Sequence, residues 1–67
     1  MTQAYVFVNI NEWSDLPKVE GVYWTLNKNP HATTMIQNHF DPSDKANRGF
    51  WRATVGIWLK PISILNE

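Results

Sequence analysis

The sequence contains no cysteine, so neither a disulfide nor a thiolate metal site can supplement its core. It carries no net charge, because six Lys and Arg balance six Asp and Glu spread along the chain. That balance argues against a general affinity for phosphate backbones, which needs a concentrated positive field, and it leaves little repulsion to oppose self-association. Glycine is scarce, at three residues, and no Gly-rich phosphate loop occurs. No apolar run is long enough to span a bilayer. The opening segment, residues 1–8, has neither a basic n-region nor the apolar length of a signal peptide, so no membrane association and a cytoplasmic location are the expectation.

Candidate chemistries are equally sparse. Ser14, Ser43 and Ser63 lack a nucleophile-elbow context, and Glu12, Asp15 and Glu20 form no pair that spacing alone assembles. His31 and His39 invite a metal reading with Asp41 and Asp44. On one straight strand, however, eight residues span about 26 Å. His39 and Asp41 share a face but make only two ligands, where stable sites need three or four. Catalysis, metal and cofactor are therefore not expected.

What the chain does have is aromatic bulk: four tryptophans, three phenylalanines and two tyrosines in 67 residues. That length makes one domain, residues 1–67, near the lower limit for independent stability. The run Gly49–Leu59 holds two of the tryptophans and reads as the central strand, with β-branched and aromatic residues and no sustained helical spacing. One face then carries Trp51, Ala53, Val55, Ile57 and Leu59, and the other Phe50, Arg52, Thr54, Trp58 and Lys60. A bulge at Gly56 reverses the parity beyond it and turns Trp58 into the core; without the bulge Trp58 joins Phe50 and Arg52 on the surface. The size of the indole favours the core.

Upstream, residues 4–11 alternate, with Val6, Val8 and Ile10 opposite Tyr5, Phe7 and Asn9. Val22, Trp24 and Leu26 share a face of a second strand, with Tyr23 and Thr25 opposite. Asn27–Pro30 is a turn signal. Residues 32–40 form the most polar strand, which suits an edge. Residues 41–49 fit one or two helical turns, with Asp41 as N-cap and Gly49 as the stop, or else an irregular polar loop. Pro61 ends the main strand, and residues 62–65 make a short last strand or an ordered tail. The fold class is all-β: a small antiparallel sheet or barrel-like meander of four to five strands, with at most one short helical turn. The expected core is Val6, Val8, Ile10, Trp24, Leu26, Trp51, Val55, Ile57 and Leu59.

Function is expected to be binding, with a protein as partner. Apolar residues occupy both faces of the first two strands, and no long amphipathic helix is available to cover the second face. A chain this short without staples also favours a homodimer, with Tyr5, Phe7 and Tyr23 at the contact. Tryptophan and arginine dominate protein–protein hot spots, which adds Arg48, Phe50, Arg52 and Trp58 as candidate binding residues. The alternative is a single-stranded nucleic-acid binder that stacks bases on Phe50, Arg52 and Trp58.

The run Trp13, Leu16-Pro17, Gly21-Val22 and then Trp51, Val55-Gly56-Ile57-Trp58-Leu59-Lys60-Pro61 resembles a family of short phage and prophage proteins. That family shows an opening tryptophan, a Leu-Pro, a glycine-led strand, a second tryptophan and a closing Val-Thr-His-Trp-Met-Pro-Leu-Pro. The likeness covers residues 13–61. Here Gly56-Ile57 stands in place of Thr-His, and the proline falls one place late. The resemblance implies a β-rich phage accessory protein that binds a host protein, defence factors included.

Overall fold

The computed structural model of the chain describes residues 2–64. In order, the elements are strand β1 (Thr2–Asn9), a 3-10 turn (Trp13–Asp15), β2 (Gly21–Asn27), β3 (Ile36–Phe40), helix α1 (Lys45–Thr54) and β4 (Val55–Ile64). The four strands make one antiparallel sheet in the order β1-β4-β2-β3. A small antiparallel sheet was the expectation, and the polar β3 lies at an edge as its composition suggests. Leu65 lies outside the described residues.

The run expected to be one long strand is instead two elements. Residues 50–54 belong to α1, and the strand begins only at Val55. The helix starts at Asp44, not Asp41: the Asp44 carboxylate accepts the N–H groups of Ala46 and Asn47 at 3.0 and 3.3 Å. Asp41 instead closes a local turn on Ser43. Gly49, read as the stop, lies in mid-helix. Termination comes at Val55, whose N–H donates to the Trp51 carbonyl as the backbone turns extended. Lys28 completes this end, its Nζ donating to the Arg52 carbonyl at 2.7 Å and its N–H to the Thr54 carbonyl at 2.9 Å. A cation there also meets the negative end of the helix dipole.

Helix α1 packs on one end of one face of the sheet, and packing there decides which residues are core. Trp51 is wholly buried on that face, together with Ile10, Leu16, Phe40, Val55 and Trp58. Leu26 opposes Ile57 while Asn27 opposes Val55, so Gly56 is an extra residue in β4. This bulge sends both Val55 and Trp58 toward the helix. Trp58 is in register with Thr25 on one side and Val8 on the other. The inward face of β2 is consequently the Tyr23 and Thr25 face, not the Val22, Trp24 and Leu26 face. Of the expected core, Ile10, Trp51 and Val55 are buried and Val8 packs against them. Trp24 and Val6 are 44 % and 42 % exposed, and Leu26, Ile57 and Leu59 are half-buried on the outer face. Thr25 tolerates full burial because its hydroxyl donates to the Ile36 carbonyl and accepts from Asn38 Nδ2.

Pro61 does not end β4 but pairs with Tyr5 inside it. β2 pairs with β4 only as far as Trp58, so beyond it one side of β4 has no strand neighbour among the described residues, and a missing N–H there breaks no ladder bond.

Two glycines should respond in opposite directions. At Gly49 an added Cβ meets no atom within 4 Å, and glycine in a helix interior is worse than alanine by about 0.5–1 kcal/mol. Gly49→Ala is expected to raise stability by that amount in urea titrations. At Gly56 the Cβ would lie 3.2 Å from Lys28 Cα, a backbone atom. Gly56→Ala is expected to lower stability by about 1–3 kcal/mol, the usual cost of overpacking.

Candidate binding surfaces

Among the described residues, nothing covers the face of the sheet away from α1. Following the register, it carries Tyr5 and Phe7 from β1, Ile57, Leu59 and Pro61 from β4, Val22, Trp24 and Leu26 from β2, and Gln37 and His39 from β3. Phe7 is 71 % exposed, Val22 59 % and Tyr5 52 %. The face is apolar across its three main strands; at the β3 edge the His39 ring hydrogen-bonds Glu20 at 3.0 Å, which brings that carboxylate to the rim of the face. Among the described side chains that its strands turn to this face there is no Lys, Arg, Asp or Glu, and Glu20 meets the face only at this rim.

Tyr5 and Phe7 are thus together, as the alternation predicts. Tyr23 is not with them. It stands on the helix side, edge-to-face with Trp58 at 5.1 Å and with Trp51 at 6.0 Å, and its hydroxyl donates to the Val19 carbonyl. That partial burial raises its pKa by desolvation. Trp24, assigned to the core by the alternation of β2, takes its place on the open face. The parity of β2 is set by the Gly56 bulge in a neighbouring strand, so nothing within residues 21–27 marks it.

The stacking platform of Phe50, Arg52 and Trp58 is not assembled. Trp58 is only 4 % exposed, and its indole N–H donates to the Asp15 carbonyl at 2.8 Å. Phe50 and Arg52 lie on the helix, where a separation of two residues does not share a face. The basic residues gather elsewhere. The guanidinium carbons of Arg48 and Arg52 each lie 5.7 Å from the centre of the exposed Trp13 ring, within cation–π range. Arg52 also donates to the Asn11 carbonyl at 2.6 Å. Lys45, Arg48 and Arg52 recur at three- and four-residue steps, a helical stripe visible in the sequence once α1 is placed.

The segment bearing Trp13 is tied by Asp15, whose carboxylate accepts the N–H groups of Asn11 and Glu12 at 2.9 and 3.1 Å. These bonds hold its pKa below the ordinary 3.8, and nearby Arg52 and Lys18 add to the effect. The Asp41 carboxyl is lowered in the same way by the hydroxyl and N–H of Ser43. Comparison of the chain with protein-family models, curated proteins and solved structures finds no match.

Both depressed carboxyls stabilise the fold fully above their unfolded pKa, and that contribution disappears as pH falls through the folded value. Stability is expected to decline as pH drops below about 4. Asp15→Asn and Asp41→Asn should each flatten the decline, measured as urea midpoints at pH 7 and pH 3.

Proposed function

We propose that this protein is a non-catalytic protein-binding module that works as a homodimer joined through its open sheet faces. The observation that carries the reading is the uncharged, aromatic-rich face built by Tyr5, Phe7, Trp24 and Leu59. Taking about 200 Å² for a whole aromatic side chain, Tyr5, Phe7 and Trp24 leave about 330 Å² uncovered. With Val22, Leu26, Ile57, Leu59 and Pro61, two such faces together reach roughly the 1,000 Å² that a specific interface needs. Apart from the Glu20–His39 contact at its β3 edge, the face carries no formal charge, so its centre can meet its own copy with no like-charge penalty, as a two-fold contact requires. Sheet-on-sheet stacking at about 10 Å is the geometry that fits. The dimer leaves the helix sides outward for a second protein. The resemblance over residues 13–61 extends the reading to a phage or prophage accessory protein whose second partner is a host protein. The nucleic-acid alternative loses its structural support, because its three residues are dispersed.

Light scattering at micromolar concentration should give about twice the 7.8 kDa monomer mass. Phe7→Ser and Trp24→Ser should bring it to the monomer value, while Phe50→Ser on the helix leaves the dimer intact. A wild-type monomer, or a dimer indifferent to Phe7→Ser and Trp24→Ser, would overturn the reading; the second result would move the contact to the free edge of β1.

A further inference from the structure

We propose that the fork between β2 and β4, on the helix side of the sheet, is a binding site for a small amphipathic carboxylate: an apolar body with one anionic head. The fork follows from the topology. β4 pairs with β2 only over Val55–Trp58 and then continues along β1, while β2 continues along β3. The diverging strands leave a cleft of about 390 Å³, which the segment around Leu16 partly roofs. That volume lies in the range of small-molecule sites, which are mostly apolar with a few placed polar groups.

The interior is apolar: Trp58 and Leu16, both 4 % exposed, with Val8 and Tyr23 around them and the exposed Val19 at the rim. Its shape is held at two points. The Trp58 indole N–H bonds the Asp15 carbonyl, and the Tyr23 hydroxyl bonds the Val19 carbonyl. Both large rings are therefore oriented by hydrogen bonds to the roofing segment and are not free to turn and fill the space. Side chains of this kind bury an apolar body while their polar tips remain bonded.

The charged groups lining the cleft decide the sign of the ligand. They are Lys18, Lys60 and Asp15. The Asp15 carboxylate is already engaged by two backbone N–H groups. The Lys18 ammonium donates one hydrogen bond to the Ser14 carbonyl at 3.1 Å, leaving two of its three donors. Lys60 projects from the same face as Trp58, two positions along β4. Two ammonium groups against the one ionised carboxylate leave a surplus of one positive charge, which favours an anionic head group at the mouth, and a single carboxylate matches it. A cationic amphiphile would meet repulsion there, and a neutral one would leave the lysines without a partner.

Decanoate is the probe, with decanol as its uncharged counterpart, in titrations followed by the Trp58 indole N–H and Leu16 amide resonances. Decanoate is expected to shift both saturably and to bind about threefold to fivefold tighter than decanol, the weight of a solvent-exposed ion pair. Lys60→Gln and Lys18→Gln should each remove much of that advantage and leave decanol unaffected. Val8→Trp should fill the cleft and abolish binding; the lysine variants decide the matter if it does not fold. Equal affinity for decanoate and decanol would overturn the assignment, and so would the absence of a saturable shift. Shifts confined to the Trp24 indole and Phe7 would also overturn it, since they report adsorption on the open face. The mass of the protein without probe is measured separately, so the cleft and the dimer stand or fall independently.

Discussion

The structure depends on the burial of one indole. Trp51 has no solvent exposure, and Phe40, Tyr23 and Trp58 approach it edge to face, at 4.9, 6.0 and 6.4 Å. Pairs in this geometry contribute about 0.5–1.5 kcal/mol each beyond their buried area. Trp51 is the one buried residue of α1, so it is the peg that holds the helix to the sheet. Its Nε1 donates to the His39 carbonyl at 3.1 Å, and Asn47 Nδ2, one turn earlier, bonds the same oxygen at 3.2 Å. One strand carbonyl thus fixes both the height and the rotation of the helix.

From that peg the two sides of the molecule acquire different characters. A single ten-residue helix cannot cover a four-stranded sheet, and it covers only one end of one face. The opposite face is apolar and uncovered among the described residues, and the uncovered end of the helix-side face opens into the fork between β2 and β4. Both candidate surfaces are what remains once the aromatic cluster has drawn the helix to its place. The chain is 19 Å across in its thinnest direction, two layers deep, which is the minimum that buries a core at all.

The open face shows how sequence alternation can be right about pairing and wrong about direction. Residues 2–9 and 21–27 are strands, and Tyr5 and Phe7 do share a face. Alternation cannot say which face turns inward when both are apolar. In β2 the outcome went against hydrophobicity: Thr25 is buried and Trp24 exposed, because Thr25 is in register with Trp58 and its hydroxyl finds two partners. Residues 50–54 were hidden for another reason. Phe, Trp, Thr and Val favour strands, and one buried side chain gives no repeating apolar stripe to set against that preference. The signals present were Asp44 as a cap and the basic stripe of Lys45, Arg48 and Arg52.

The sequence by itself determined the antiparallel sheet, the edge position of its polar strand and the absence of disulfide staples, and it marked Gly56 as the place where a bulge would turn Trp58 inward, which the β2–β4 register then decided. These follow from local chemistry: β-branched and aromatic runs, turn residues, and a glycine where a strand needed an extra position. Only the tertiary structure decided that the strand of β4 begins at Val55, that Tyr23 belongs to the core and Trp24 to the surface, and that two lysines flank an apolar fork. Each of these depends on contacts between residues far apart in the chain, above all on where Trp51 docks, and burial against a distant partner outweighs the propensity of any single segment.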